Sequence, residues 1–471
     1  MAFSEQSAST LRFDITEVVR YAKRHDRVTG IQRVELNVIR ECVRQLSPRL
    51  VRGLIREEGG QRVREVSLAF LSEDESFVAS KLLQETDAVS AGRWPDKLIL
   101  RKHLDHLQRR KVLRAVKKTS IYVQALVARK TLIENGLLSG LRAPSYAEPT
   151  AVLAPNDAYI ALGTGWEDPD AFCIAAAHRR QGGKVIQMVH DLIPVVRPEL
   201  HMPEVSDKFQ RWLERATTCV TQFLCVSEHT AKDLRDFLSR QEKEIPIAVT
   251  PLAHEFTGFS RGAEVELPPD ACEAVSKLIS QRFVLCVGSL EGRKNITRLL
   301  TAWARARALT GDTQTKLVFA GRRGWMIDSF DAEMRQTQAA GGSAQVIEKT
   351  TDAELAWLYA HSEFTVYPSL YEGWGLPVGE SLWFDTPCLA SSATSVPEVG
   401  SSLVTYVFPY NTEMMATLLG QLLTDKEALL SARTRIKNAV LRTWRDHAAD
   451  VIQAIHEHMA PACGEHNGVS P

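Results

Sequence analysis

The sequence predicts an α/β chain built from two parallel-sheet domains. Three observations carry that expectation. At 471 residues the chain exceeds one ordinary hydrophobic core and fits two domains, or three. From Ala158 onward, short apolar runs alternate with amphipathic stretches, the pattern of a parallel sheet whose loops gather on one edge. The stretch Phe256 to Pro269, rich in Gly, Pro, Ser and Glu, interrupts the alternation, which then restarts. The expected layout is an N-terminal domain 1–270 with a basic helical insertion at about 92–139, a second domain 271–445, and a terminal helix and tail 446–471.

Taken in order, Leu11 to Ile15 reads as the first strand and Ile31 to Val43 as an amphipathic helix. Between them Gly30 opens a turn that leads into Gln32 and Arg33, a candidate ligand loop on the cleft side of the sheet. Gly92 to Ser139 differs in character, with Lys97, Arg101, Arg109, Arg110, Lys111, Arg114 and Lys117 around Leu100, Leu104, Leu107 and Leu113. Such a segment lies on an anionic membrane surface or forms a solvated helical insertion, at similar weight. It has neither interleaved aromatics nor a recognised motif, which argues against nucleic acid.

The regular part begins with strand Ala158 to Leu162 and the turn Gly163-Thr164-Gly165-Trp166. Strand Lys184 to Val189 ends at His190-Asp191, at the carboxyl edge where ligand-contacting groups gather. Helix Ser206 to Ala216 precedes strand Phe223 to Val226, and Ser227 is an N-cap for the next helix. Strand Ile245 to Thr250 closes the first half. The second half opens with helix Ala271 to Ser280 and strand Phe283 to Val287, followed by the loop Gly288 to Asn295, with Asn295 as a helix cap. Arg293 and Lys294 in that loop suit a diphosphate, one as a fork and one as a point charge. Strands Lys316 to Ala320 and Gln345 to Glu348 follow, then a capping box at Thr351 to Glu354. Helices Arg433 to Thr443 and Ala448 to Met459 end the ordered chain.

The most informative stretch is Phe364 to Glu380, FTVYPSLYEGWGLPVGE. It reads as a buried strand, a glycine loop (Gly373, Trp374, Gly375, Leu376) and a helix opened by Pro377. Phosphates are held at such helix starts, by free N–H groups and the dipole. Glu372 and Glu380 are poor phosphate partners but good acceptors for hydroxyls, so the expected ligand is a nucleotide joined to a sugar.

Composition excludes several classes. Lys plus Arg equals Asp plus Glu, 57 each, so net charge points to no acidic partner. There is no run of about 18 apolar residues, and MAFSEQSAST lacks the features of a secretion signal. Eight scattered cysteines without CxxC pairs suggest reduced thiols in a cytoplasmic protein, and no metal-binding spacing appears among the 13 histidines.

These residues resemble the family-four retaining glycosyltransferases of the GT-B fold, two Rossmann-like domains facing across a cleft. The motifs are EGWGLPVGE with its Glu-x7-Glu spacing, VGSLEGRKN, LVFAGRRGW, SATSVPEVG, HDLIP and VSEHTAKDL. A looser likeness of FDITEVVRY and TGIQRVE points to a bacterial polysaccharide-assembly, mannosyltransferase-like branch. The resemblance implies Glu380 on the ribose hydroxyls and Glu372 on the donor sugar beside the 373–376 amides. It also implies Lys294 and Arg293 on the diphosphate, and His190 on the sugar from the opposite domain, with Asp191 on the acceptor or cleft side. Many members carry Arg directly after the loop glycine, where this chain has Ser289. No cofactor is implied beyond the sugar nucleotide, a GDP-sugar favoured over a UDP-sugar, and the acceptor is a glycan or lipid-linked glycan. The rival classes are a nucleotide-sugar epimerase of similar fold and a silent sugar-nucleotide-binding relative. A dehydrogenase is disfavoured because no strand leads into GxGxxG.

Overall fold

The computed structural model describes residues 10–25, 28, 30–57, 62–72, 79–86, 153–339 and 341–460. The basic segment 92–139 and the tail 461–471 lie outside the described residues. The chain divides into one unit of residues 1–79 and 151–471 and a second of residues 80–150. The first holds everything that follows.

That unit contains two sheets. The first has β1 (Leu11–Asp14), β2 (Val51–Arg56), β3 (Val63–Ser67), β4 (Ala158–Ala161), β5 (Lys184–Val189), β6 (Gln222–Cys225) and β7 (Ile247–Val249), in the order β3-β2-β1-β4-β5-β6-β7. The second has β8 (Phe283–Val287), β9 (Lys316–Ala320), β10 (Ala344–Ile347), β11 (Thr365–Tyr367), β12 (Cys388–Ser391) and β13 (Thr405–Val407), in the order β10-β9-β8-β11-β12-β13. All pairings are parallel except β2 with β3. In both sheets the order reverses direction beside the first strand, which leaves a crevice at the carboxyl ends for ligands.

Helices cover the sheets because each presents one apolar stripe. In the first, Phe209, Trp212 and Leu213 of helix Pro203–Cys219 pack against Tyr159, Val185 and Phe223. In the second, Leu299, Leu300 and Trp303 of helix Ile296–Thr310 and Met415 and Leu419 of helix Thr412–Thr424 cover Val284, Phe319 and Leu389. Each such side chain contributes roughly 1.5–3 kcal/mol on full burial.

Several local expectations need correction. Asn295 does not cap the helix that follows it. Its backbone is left-handed (φ 59°), and its amide donates instead to the carbonyls of Pro368 (3.0 Å) and Pro409 (2.7 Å). The helix expected at Ala271 to Ser280 is a single turn, Glu273–Ser276. The helix expected at Arg433 to Thr443 is Lys426–Lys437, and Thr443 instead caps helix Trp444–Met459 with a capping box to Asp446. The expectation missed how well a Thr-x-x-Asp pair satisfies the free amides of a first turn.

The last helix returns to the first sheet, packing against helix Ile31–Gln45, with Gln45 Nε2 donating to the Arg445 carbonyl at 2.9 Å. The chain therefore crosses between the halves twice, and the crossings are bonded together. The His254 amide donates to the Arg442 carbonyl (2.9 Å), the Arg442 amide to His254 Nδ1 (3.1 Å) and the Trp444 amide to the Glu255 carboxylate (2.8 Å). His447, fully buried, donates through Nδ1 to the Pro251 carbonyl at 3.0 Å.

Burial pushes the His447 imidazole down to about 3. Between about pH 6.5 and 3 the unfolded chain therefore binds a proton there that the native state refuses. Stability must fall as pH drops through that window, by at most about 1.4 kcal/mol per unit from this group. The expected outcome is a melting temperature that declines from pH 7 to pH 5, and a shallower decline in His447→Asn. Identical slopes in the two proteins would remove His447 as the cause.

Candidate active site

The site forms where the glycine loop after β11 meets the carboxyl edge of the first sheet. Gly375 has φ 120°, a conformation that favours glycine, and this turns the chain into helix Leu376–Trp383 with Pro377 in its first turn. The first-turn amides of such a helix have no intrahelical acceptor and face the crevice with the positive end of the dipole. The loop is pinned from the β12 side. The Glu372 amide donates to Thr394 Oγ1 (3.0 Å), and Ser395 Oγ lies 2.9 Å from the Glu372 carbonyl and 3.0 Å from that of Trp374.

Glu372 holds the centre. Lys294 Nζ lies 2.6 Å from its Oε1 and an Arg293 guanidinium nitrogen 2.7 Å from its Oε2, all three groups being buried or nearly so. Burial alone would raise the carboxyl, but Arg293 and then Lys294 outweigh it and hold Glu372 at about 2. It is a carboxylate at any working pH. Lys294 also donates to the Tyr367 hydroxyl at 2.8 Å, and Arg293 to the Tyr371 carbonyl at 2.7 Å. Ser289, where many relatives of the motif have Arg, donates to buried Glu291, which in turn sits 3.5 Å from Arg293. The two expected phosphate cations are thus matched by two carboxylates.

Glu380, one turn into the helix, is also buried, with Oε2 accepting from the Tyr359 hydroxyl at 2.7 Å. Its Oε1 accepts from Arg33 at 3.0 Å, and Arg33 reaches on to Asp352 at 3.1 Å while its guanidinium lies over the Phe256 ring. Arg33, expected on the acceptor or cleft side, stands on the anticipated ribose anchor. Burial raises the Glu380 carboxyl, with Arg33 opposing. Gly30 starts the same helix at φ 53°, and Gln32 is partly buried on its first turn.

The facing half brings His190 and Asp191. His190 Nε2 donates to the Leu162 carbonyl at 2.7 Å, and burial lowers its pKa, so the ring is neutral. Asp191 Oδ1 accepts from the Ile193 amide at 3.0 Å. Both abut Gly373, where a Cβ would overlap the His190 carbonyl oxygen and sit 2.8 Å from Asp191 Cβ. Two further motifs meet nearby. The Glu398 carboxylate accepts from the amides of Glu228 (2.7 Å) and His229 (2.9 Å), at the start of helix Glu228–Ser239. The Tyr371 hydroxyl donates to Asp233 at 2.7 Å and lies 2.9 Å from His229 Nε2.

The Trp374 side chain is buried, and the expectation for this loop concerned its 373–376 backbone amides. Sequence reasoning missed Tyr359, Tyr367, Thr394 and Glu291, whose partners are set by tertiary packing.

Residues 274–440, which hold Arg293, Lys294, Glu372 and Glu380, match the family model described as "Glycosyl transferases group 1". The serotype-specific mannosyltransferase WbdA of Escherichia coli is 23% identical over 310 residues, covering 64% of this chain and 37% of that protein. The chain thus spans little more than a third of that relative's length. The O-antigen chain mannosyltransferase B of Escherichia coli is 25% identical over 276 residues, 58% of this chain and 70% of that one. A solved structure described as trehalose-6-phosphate from E. coli bound with UDP-2-fluoro glucose shares the fold at TM-score 0.56 and 14% identity, covering 96% of this chain and 100% of that one. The fold is GT-B, with two Rossmann-like halves.

The close contact at Gly373 bears directly on turnover. Gly373→Ala should lower kcat/KM at least tenfold, because the loop must retreat from His190 to admit the methyl group. Steady-state kinetics beside a circular-dichroism melt would check it. Unchanged kinetics in a folded variant would mean that the approach of the two loops is irrelevant to turnover.

Proposed function

We propose that this protein is a glycosyltransferase that moves a hexose, mannose from GDP-mannose, onto a growing bacterial glycan, free or lipid-linked. Transfer retains anomeric configuration and needs no metal ion. The observation that carries the proposal is the Glu372–Arg293–Lys294 cluster at the start of helix Leu376–Trp383, with neutral His190 opposite. The mannosyltransferase names among the relatives support the choice of sugar.

In this reading the diphosphate draws Arg293 and Lys294 toward itself and frees Glu372 to accept hydroxyls of the sugar. Glu380 exchanges Arg33 for the ribose hydroxyls. The bond between the anomeric carbon and the phosphate oxygen breaks, and its electron pair goes to that oxygen. Lys294, Arg293 and the helix start stabilise the charge that develops there. The acceptor oxygen bonds the anomeric carbon on the same face and passes its proton to the departing phosphate oxygen. A covalent route through Glu372 is disfavoured in this reading, because the freed carboxylate is engaged by the sugar hydroxyls. In the same reading the protein is cytoplasmic, and the basic segment 92–139 holds it on the inner, anionic membrane face beside a lipid-linked acceptor.

The test is a screen of GDP- and UDP-sugars, with turnover measured and the product anomer read by NMR. GDP-mannose should be the preferred donor and the α-configuration should survive. Lys294→Ala should lose at least about 100-fold in kcat, as for loss of one preorganised oxyanion donor, and Glu380→Ala should raise the donor KM at least tenfold. Wild-type rates in both variants, or an inverted product, would sink the assignment.

A further inference from the structure

Arg293 has two carboxylate neighbours, and they sit on different loops. Glu372 belongs to the glycine loop after β11, whereas Glu291 lies two positions before Arg293 in the loop after β8. Although charged and in a loop, Glu291 is 4% exposed. Its seat is built from backbone. The Leu290 amide donates to the Arg322 carbonyl (2.8 Å), the Gly324 amide to the Leu290 carbonyl (2.8 Å) and the Gly292 amide to the Trp325 carbonyl (3.2 Å). The two loops press so closely that a Cβ on Gly324 would sit 2.8 Å from Glu291 Cγ. The Ser289 hydroxyl donates to Oε1 of Glu291. Oε2 makes no hydrogen bond among the described residues and stands 3.5 Å from Arg293 Nη2.

The Arg293 guanidinium is used unevenly. Nη1 serves both Glu372 Oε2 and the Tyr371 carbonyl, each at 2.7 Å. Nε, equally buried, has no hydrogen-bond partner among the described residues. A buried carboxylate oxygen and a buried guanidinium N–H without partners are costly as they stand. Together they match the open half of a forked arginine–carboxylate pair. In the proposed reaction Glu372 turns to the sugar, and Glu291 is the carboxylate that stays with Arg293.

Resting on the proposed function above, we infer that Glu291 is a positioning residue: it closes on the open side of the Arg293 guanidinium as Glu372 departs and keeps that fork aimed at the diphosphate. It touches neither sugar nor phosphate and acts through Arg293. The sign of its effect separates this role from that of a mere charge. A second carboxylate near a diphosphate opposes the negative charge building on the leaving group, so by charge alone its removal would speed turnover. By positioning, its removal slows turnover, because a misdirected Arg293 no longer meets that charge.

GDP binding by calorimetry and hydrolysis of GDP-mannose are measured on the full chain, with a circular-dichroism melt of every variant. Glu291→Gln keeps the shape and the Ser289 contact. It should lower kcat at least about tenfold, while the GDP Kd and the donor KM move less than about threefold. Glu291→Asp, which keeps the charge on a shorter stem, should fall between Gln and wild type. In an Arg293→Gln background, Glu291→Gln should change kcat less than about twofold, since no guanidinium is left to aim. That doubly neutral pair also removes the unbalanced buried charge that threatens the fold of the single variant. Equal losses in both backgrounds would mean a scaffolding role and overturn the inference. So would a folded Glu291→Gln enzyme as fast as wild type or faster, and in either case GDP binding and hydrolysis by the wild type leave the functional proposal standing. A wild type that neither binds GDP nor hydrolyses GDP-mannose overturns the functional proposal and this inference with it.

Discussion

The site depends on one buried charge balance. Arg293 and Lys294 are held in the interior by Glu372 and Glu291, two cations against two carboxylates. Neither cation would be tolerated there alone, since stripping one partner from a buried pair typically costs about 3–5 kcal/mol. In the proposed reading, a diphosphate arriving in the crevice must replace Glu372. That exchange would couple the two ends of the donor: when the phosphates claim the cations, Glu372 is released to the sugar. Tyr367 and the Tyr371 carbonyl, which also accept from the pair, keep the cations aimed while the exchange takes place.

The same logic of exchanged partners recurs at Glu380. Arg33 comes from the first half and stands on the carboxylate that the proposed ribose site requires. With Glu398 bonded to the start of helix Glu228–Ser239 and Gly373 pressed against His190, polar contacts link the halves. Such contacts are separable, because water and ligand groups replace them at little net expense. In the proposed reading the nucleotide acts on the relation between the halves through residues it touches directly.

Much of this was legible in the sequence, for a physical reason. The inner strands β4 to β6, β8, β9, β11 and β12 are largely buried, so they read as apolar runs, and each is followed by a turn with its own signature. Glu372, Glu380, Arg293 and Lys294 sit at those turns and could be found from local pattern alone. The antiparallel edge β2–β3 was not, because its apolar residues Val51, Leu54, Val63 and Val66 are spaced among Arg52, Arg56, Arg64 and Glu65. Nor was the pairing of Arg33 with Glu380, which are 347 positions apart and carry no mark of one another.

The doubled crossing between the halves has a mechanical meaning. A single connecting strand would allow one half to swivel in several directions about the other. Here the segments around His254 and Arg442 run bonded side by side, and Trp444 and His447 anchor the second to the first. Two joined strands twist together or not at all, so the pair behaves as an axle with one easy direction of rotation. The terminal helix, lying on the first half although it follows the second in the chain, fixes the far end of that axle.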